Sequence, residues 1–397
     1  MRKFQLSLLK FTMIAFVLMC FACAEDETMT GDDSMDPNEM TADEQFAAYF
    51  DDASNAVIDP GFGANSIVPT SNDLGSNCAT GDDFFEDTSY KGAVDPNGAA
   101  WYAGWSAYDA ILAGNNTPGF STGIPVRVND ADMAAAGDVV NWTNDNLYIL
   151  DGFVFVNEGQ TLNIEAGTII QGSPGEAENA SALVISRGAT IMAEGTATQP
   201  IIFTFEGDNG GTSPDQRGRW GGIIILGRAS LNSIPGETAI EGIPTSETRG
   251  VYGGNDDADN SGVLRYVSCR HGGTNIGADN EINGITLGGV GTGTTIEFVE
   301  VVSNRDDGFE WFGGTAQGRY LISAFNGDDA LDYDEGYRGK NQNVIIHQDE
   351  TPDSADRGGE HDGGTDPEDA TPFATPIFSN VTSIAVSYTH LTLPTKA

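Results

Sequence analysis

Six carboxylic acids recur at matching places in two segments of the sequence. Residues 304–311 read Asn-Arg-Asp-Asp-Gly-Phe-Glu-Trp, and residues 326–333 read Asn-Gly-Asp-Asp-Ala-Leu-Asp-Tyr. The acids are Asp306, Asp307, Glu310, Asp328, Asp329 and Asp332. A repeat this short cannot bury its own apolar face, so its copies must stack as successive turns of a solenoid. Stacking would bring each acid within about 5 Å of its counterpart, the spacing of neighbouring strands.

Three outcomes would relieve the repulsion between carboxylates at that spacing. A cation such as Ca²⁺ could lie between the Asp pairs, because hard cations prefer oxygen ligands. Its predicted ligands are Asp306, Asp307, Asp328 and Asp329. One carboxyl group could instead keep its proton and act as a general acid, and the candidates are Asp307, Glu310, Asp329 and Asp332. In the third outcome, which carries no function, the acids point into water or accept hydrogen bonds from backbone N–H groups at turns.

Aromatic and basic residues near the acids extend the candidate chemistry. Trp311 and Tyr333 each follow an acid directly and are predicted to be exposed rings that bind a sugar. Basic residues near in sequence could neutralise some of the acids, and these are Arg305, Arg319 and Arg338. A lyase acting on uronic acids would need a basic group beside bound Ca²⁺, and the candidates are Arg305, Arg319 and Lys340.

Short β-rich runs separated by Gly, Asn and Asp dominate the chain after residue 142. Strands of three to five residues without crossover helices exclude a doubly wound sheet and indicate a solenoid with about three strands per coil. We therefore predict an all-β, right-handed parallel β-helix over residues 142–385. A loop-rich, partly helical N-terminal cap is predicted over residues 41–141. The aromatic residues Trp101, Trp105 and Tyr108 have helical spacing and are predicted to pack against the first coil, the alternative being an aromatic platform for a sugar.

A resemblance to a known family lies in seven segments: residues 167–170, 187–196, 220–227, 240–244, 262–267, 270–273 and 306–314. In these segments the chain is similar to a group of secreted lipoproteins of Gram-negative bacteria, over roughly residues 89 to 385. The resemblance implies a right-handed parallel β-helix at the outer membrane or cell surface. Some members carry the automated name "multidrug transporter". That name is at odds with this sequence, in which no apolar run of membrane-spanning length follows the signal. The resemblance implies no established activity and no catalytic residues.

Both ends of the chain are predicted to lie outside the β-helix. Residues 1–23 are typical of a lipoprotein signal peptide, because positive charges precede a short apolar run and Ala22 precedes Cys23, the predicted lipid anchor. Residues 24–40 are acidic and poor in apolar side chains, as in a flexible tether. Residues 386–397 match one reading frame of a widely used sequencing adapter. We expect this tail to be an artefact and the native β-helix to continue past residue 385.

The charge and the His and Cys content of the chain limit the partners and cofactors that it can bind. The formal net charge of −41 opposes nucleic-acid binding, which depends on cationic side chains, and leaves the lipid anchor as the expected contact with a membrane. Four His residues without suitable spacing argue against zinc or iron, so Ca²⁺ is the cofactor to consider. Of the four cysteines, Cys78 and Cys269 could pair, and the sequence leaves that pairing and the oligomeric state open.

These observations favour an exported cell-surface lipoprotein whose β-helix binds a glycan or acts as a scaffold without catalysis. The alternative is a polysaccharide-degrading enzyme, either a glycoside hydrolase or a lyase, that uses the stacked acids. The negative charge favours a neutral glycan over an acidic one. Geometry separates the two hypotheses, because an enzyme needs Asp307, Asp329 and Glu310 to converge on one space. In a scaffold the same side chains splay apart or cap turns.

Overall fold

The computed structural model describes residues 62, 66–70, 82–117, 123–277, 280–348, 357–364, 367 and 369–384. The predicted signal peptide with Cys23, the acidic tether, Cys78 and the C-terminal adapter-like segment lie outside the described residues. Cys269 carries a free thiol in the core. Because its possible partner Cys78 is not among the described residues, the question whether the two pair stays open. Within the described ranges, no helix has both the length and the apolar character needed to cross a bilayer.

Short strands make up most of the described chain. They are β1 (Ile124–Val128), β2 (Val139–Trp142), β3 (Asn146–Leu150), β4 (Phe153–Val156), β5 (Thr161–Ile164), β6 (Ile169–Gly172), β7 (Ala182–Ile185), β8 (Thr190–Glu194), β9 (Ile201–Phe205), β10 (Ile223–Leu226), β11 (Glu237–Ala239), β12 (Val251–Gly253), β13 (Gly262–Arg270), β14 (Asn275–Gly277), β15 (Asn280–Glu281), β16 (Ile285–Gly288), β17 (Thr295–Val302), β18 (Phe309–Phe312), β19 (Gln317–Ala324), β20 (Leu331–Asp334), β21 (Lys340–His347), β22 (Glu360–His361) and β23 (Ile377–Ile384). The α-helices are α1 (Ala107–Leu112) and α2 (Asp130–Ala135), and single 3₁₀ turns occur at Ala177–Asn179 and Thr248–Gly250.

Two large parallel sheets wrap one core. The first sheet has 12 strands and follows the order β1-β3-β6-β9-β13-β17-β19-β21-β23, with β2, β5 and β8 joining it at β13. The second sheet has seven strands in the order β22-β20-β18-β16-β10-β7-β4. Each coil therefore visits both sheets before it stacks on the next, and the predicted parallel β-helix is confirmed. The coils begin at Ile124, before the predicted start at residue 142.

The register between coils follows the predicted period. The backbone N–H of Asn304 donates a hydrogen bond to the side-chain oxygen of Asn326 at 2.9 Å, and Glu310 lies opposite Asp332 in the parallel pair of β18 and β20. The predicted stacking of the two repeats is thus confirmed. Because strand residues alternate between faces, the stacking generates one inward column and one outward column along the second sheet.

The first sheet bends at a column of non-glycine residues with positive φ. These are Tyr266, Phe298, Tyr320, Asn343 and Asn380, one from each of β13, β17, β19, β21 and β23. Left-handed backbone is unfavourable for bulky side chains, so packing must compensate. The three aromatic rings stack in parallel with centroids 4.5 and 4.4 Å apart, and asparagine tolerates this conformation. The corner lets each long strand cover two faces of the coil.

The predicted cap divides into two parts. Helix α2 closes the first coil and places Met133 in the main core. Residues 82–117 instead run along the outer side of the first sheet, where Trp105 and Tyr108 are fully buried against a cluster that includes Val302 and Ile345. The predicted burial of these two rings is confirmed, but their predicted contact with the first coil is wrong. The late coils β17 to β23 offer the apolar outer surface that these rings need.

Glu300 fastens this N-terminal segment to the first sheet. Its carboxylate is 0% exposed and accepts hydrogen bonds from the backbone N–H groups of Ala107 (2.7 Å) and Tyr108 (3.2 Å) at the start of α1. Ser268 also donates to it, and the guanidinium of Arg270 lies 3.9 Å away. A buried negative charge thus meets the donors of a helix start and a buried cation.

Candidate functional site

All six acids of the repeat line one pocket of about 400 Å³ at the edge of the second sheet. Asp306 and Asp307 lie in the turn before β18, and Asp328 and Asp329 lie in the matching turn before β20. The full lining is Glu241, Glu281, Asn283, Asp306, Asp307, Glu310, Asp328, Asp329, Asp332 and Glu360. We call this set the acidic pocket. Asp307, Asp329 and Glu310 converge on one space, so the splayed arrangement predicted for a scaffold is not seen; convergence is what an enzyme requires and what a cation site also requires.

Strand alternation explains why Glu310 faces this pocket. In the second sheet it belongs to the outward column, in register with Thr286 on β16, Asp332 on β20 and Glu360 on β22. The neighbouring inward column holds the core. Each acid on these strands is therefore followed by a residue that points the opposite way.

The predicted exposure of Trp311 is wrong. The ring is 2% exposed and stacks 5.2 Å from Tyr337 inside the coil. Trp311 continues the inward column after Ile225 and Leu287. A residue directly after an outward-facing acid must point inward. Glu310 and Trp311 therefore cannot belong to the same sugar-binding surface.

Tyr333 follows the same rule and is also not an open platform. It lies opposite Trp311, packs partly buried against the main core, and stacks on His361 with ring centroids 4.5 Å apart. The aromatic rings predicted to bind a ligand therefore fill and close the coil interior instead of lining the acidic pocket.

Hydrogen bonds fix the carboxyl groups at the back of the pocket. Asp307 Oδ1 accepts the backbone N–H of Asp329 at 2.9 Å, so one oxygen of Asp307 does cap the next turn, as the third predicted outcome states. The Asn283 amide donates to Glu310 and, at 3.3 Å, to Glu241. Asp329 is 1% exposed, and its Oδ1 has no hydrogen-bond partner among the described residues. Turn capping thus accounts for only part of the cluster.

Burial and mutual repulsion raise the pKa values of the clustered acids. Burial first, then the charges of Glu241 and Asp328, raises the pKa of Asp306 to about 7. Burial and the charge of Glu360 raise the pKa of Asp332 to about 7, and burial and Asp328 raise that of Asp329 to about 8. The cation-free pocket therefore holds protons near neutral pH.

The pKa values of Asp307 and Glu310 are raised well above their usual range. Burial is the largest cause for both groups, and the charge of Asp332 adds to it. These two groups sit at the centre of the cluster, where withdrawal from water and repulsion act together.

Arginine reaches only the rim of the pocket. Arg305 lies 3.7 Å from Glu281, and Arg357 bonds Glu360 at 2.5 Å and lies 3.6 Å from Asp329. Within the described ranges, no ion pair involves Asp306, Asp307, Glu310 or Asp332. The central carboxyl groups thus lack a protein cation.

Three basic residues that were predicted to neutralise the acids or to act as a lyase base lie outside the acidic pocket. Arg319 pairs with Glu86, Arg338 with Asp257 and Lys340 with Asp82. The predicted neutralisation by Arg319 and Arg338 is wrong, and Arg319 and Lys340 have no place as lyase bases in this pocket. Arg319 and Lys340 lie on β19 and β21 of the first sheet, and the Arg338 side chain turns to the Asp257 loop, whereas the pocket opens on the second sheet.

Two groups of three carboxylates have ligand atoms within 4.8 Å of one another. The first consists of Asp306, Asp307 and Asp328, and the second of Asp307, Glu310 and Asp332. Such clusters of hard oxygen donors suit a divalent cation such as Ca²⁺. Three of the four predicted cation ligands share a group, whereas Asp329 lines the pocket outside both groups.

Four lining residues were not predicted to belong to the site. Glu241 and Glu281 come from excursions between coils, near the antiparallel pairs β11–β12 and β14–β15, and carry no repeat signal. Asn283 precedes β16 without an acid beside it. Glu360 carried a usable signal, because Glu360-His361 repeats the acid-then-ring pattern of Glu310-Trp311 and Asp332-Tyr333. A longer connection before β22 displaced it from the 22-residue spacing.

Gly308 makes the close stacking behind the pocket feasible. A Cβ atom at this position would overlap Ser323 Oγ and lie 2.6 Å from the carbonyl oxygen of Ala330. We expect Gly308→Ala to lower the free energy of unfolding by about 1–3 kcal/mol, the usual effect of overpacking. Urea denaturation measures this loss. Gly137→Ala is the matched control, because open space surrounds that position, and equal effects for the two variants would contradict the proposed role of Gly308.

Comparison with known proteins identifies a family for this chain. A family model described as a pectate-lyase-like beta helix domain matches residues 134–392, which is more than half of the chain. The match spans both repeats and every residue of the acidic pocket. No curated protein and no solved structure matches the chain significantly.

Proposed function

The chain belongs to the family of pectate-lyase-like β-helix domains, and we propose that its acidic pocket binds a polysaccharide through a divalent cation such as Ca²⁺. One observation carries the proposal: nine carboxyl groups surround a single pocket of about 400 Å³. A fold of this family is compatible with binding or degrading polysaccharides. The cation explains how so many acids can share one space.

A bound cation would connect the pocket to a sugar. Ca²⁺ takes about six to eight oxygen ligands, and one group of three carboxylates leaves coordination positions for sugar hydroxyl oxygens. Carboxylates of the wall, such as Glu241 and Glu281, would accept hydrogen bonds from further hydroxyl groups. A neutral polysaccharide fits better than an acidic one, because uncompensated wall carboxylates repel anionic sugars.

Location outside the cell is part of the proposal. A lipid anchor at Cys23 would hold the β-helix at the surface of a Gram-negative bacterium, where polysaccharides are met. The support is the sequence of residues 1–23, with its positive charges, apolar run and small residue before the cysteine.

Glycoside hydrolysis is the second candidate function. The observation in its favour is the pair formed by Glu310, whose strongly raised pKa keeps its proton, and Asp332, its partner across the strands, whose pKa of about 7 leaves it partly ionised at neutral pH. A glycosidase needs one protonated carboxyl group as acid and a second carboxylate as base or nucleophile. A lyase is disfavoured, since Arg319 and Lys340 pair outside the pocket and Arg305 pairs with Glu281.

A panel of neutral polysaccharides tests both candidates. With Ca²⁺ present we expect binding by titration calorimetry, and at least about tenfold weaker binding (about 1.4 kcal/mol) in a chelator or for Asp332→Asn. Asp151→Asn, an exposed acid outside the pocket, is the control and should bind as the parent does. Polysaccharide binding of equal strength with Ca²⁺ and in the chelator would contradict the proposal. New reducing ends released by the cation-free protein, and lost in Asp332→Asn, would favour the hydrolase instead.

A further inference from the structure

We propose that the acidic pocket holds two divalent cations that share Asp307 as a bridging ligand. The inference deepens the proposed cation site and rests on it. Its starting point is geometric: the two groups of carboxylates, Asp306–Asp307–Asp328 and Asp307–Glu310–Asp332, have one member in common. One group occupies the turns before β18 and β20, and the other extends onto the strands themselves.

The position of Asp307 suits a bridge. The backbone N–H of Asp329 fixes its Oδ1 at 2.9 Å, which sets the orientation of the carboxyl group between the two groups. Asp307 is 7% exposed, so water can compensate little of its charge. A buried carboxylate without a protein cation is costly, and contact with two cations removes that cost most completely.

Asp329 provides an independent sign that the pocket takes a cationic ligand. It is almost fully buried, it lines the pocket, and its Oδ1 has no hydrogen-bond partner among the described residues. A buried carboxyl oxygen left without a hydrogen-bond partner is unfavourable, because it has lost its contact with water. A cation beside Asp307 would compensate this oxygen, either directly or through a bound water.

Charge balance favours two cations over one. The pocket has nine carboxyl groups, and among the described residues no ion pair of Arg305 or Arg357 reaches Asp306, Asp307, Glu310 or Asp332. One dication would leave most of the negative charge unbalanced. The carboxylates of the second group would still repel one another at close range. Two cations give each group its own counter-charge.

Titration calorimetry of the full-length chain with CaCl₂ alone tests the inference. We expect two Ca²⁺ per chain for the parent protein. Asp328→Asn should remove one cation, because Asp328 belongs only to the first group, and Asp332→Asn should remove the other. Asp307→Asn should weaken both by at least about tenfold, whereas Asp151→Asn should still bind two.

Thermal unfolding in chelator shows whether a variant binds less Ca²⁺ because it has lost a cation ligand or because it no longer folds. The three pocket variants each remove a repelling charge, so their cation-free forms should melt no lower than the parent. A parent stoichiometry of one, or two full sites in Asp307→Asn, would overturn the bridge. A protein that binds no Ca²⁺ would overturn both this inference and the cation in the proposed function. Two bound Ca²⁺ without any polysaccharide binding would leave the bridge intact and refute only the proposed function.

Discussion

Calcium is expected to raise the melting temperature strongly near pH 8 and hardly at all near pH 5. The cause is the set of raised pKa values in the acidic pocket, about 7 for Asp306 and Asp332 and about 8 for Asp329. In the unfolded chain these groups titrate near 4. Between those limits the cation-free folded protein binds more protons than the unfolded chain, so its stability falls as the pH rises.

The sign of the effect follows from this linkage. The stabilising effect of the retained protons is fully present below about pH 4 and is lost as the pH passes the folded pKa values near 7 to 8. One proton held over three pH units corresponds to roughly 4 kcal/mol. Calcium replaces those protons, so it competes with them at low pH and binds freely at high pH.

The rise in melting temperature that Ca²⁺ should cause can be estimated from its binding free energy. A cation at about a hundred times its Kd stabilises by about 2.7 kcal/mol, which corresponds to a rise of about 3–4 °C for each bound cation in a chain of this size. Differential scanning calorimetry in chelator and in CaCl₂, at both pH values, measures it. Asp307→Asn should lose most of the rise near pH 8, and Asp151→Asn should keep it. A rise of equal size at both pH values would show that calcium acts elsewhere.

Glu300→Gln is expected to be among the most destabilising single substitutions in the protein. The substitution keeps the shape of the side chain but removes the charge opposite Arg270, which is 1% exposed. Breaking a buried ion pair on one side costs about 3–5 kcal/mol, because the buried guanidinium of Arg270 loses the carboxylate that balances its charge, while its bonds to Ser268 and Thr117 offer only neutral oxygens. The amide also accepts the N–H groups of Ala107 and Tyr108 less well than a carboxylate does.

Glu297→Gln provides the matched control on the same strand. Glu297 bonds Arg265 at 3.0 Å on the partly exposed outer side of β17, where an ion pair contributes at most about 1 kcal/mol. Urea denaturation should separate the two variants clearly. Limited proteolysis adds a local readout, since residues 82–117 should become accessible in Glu300→Gln only. Equal stability of the two variants would refute the anchoring role of Glu300.

The sequence was most informative where the coils repeat without interruption. A step of 22 residues predicted the parallel coils and the stacking of Glu310 on Asp332, because identical spacing returns side chains to the same column. It also brought all six acids of the repeat to one place. The walls of the pocket were not predictable in the same way. Glu241 and Glu281 reach it from excursions whose paths depend on tertiary packing and not on a local period.

The error over Trp311 has a simple physical origin. Adjacent residues of a strand point to opposite faces, so an acid in the pocket requires a core residue next to it. Composition alone suggested an exposed aromatic ring beside an acid. The period of two, applied to Phe309-Glu310-Trp311, would have predicted the buried ring correctly.

The path of residues 82–117 has a consequence for the order in which the chain folds during synthesis. The backbone N–H of Ala93 donates to the hydroxyl of Thr382, a partner 289 positions further along the chain, at 2.9 Å. A chain that emerges with its N-terminus first must therefore present this segment long before its docking surface exists. Contacts between such distant positions form slowly. The late coils and the early segment should consequently reach their final state together, as the closing step of folding.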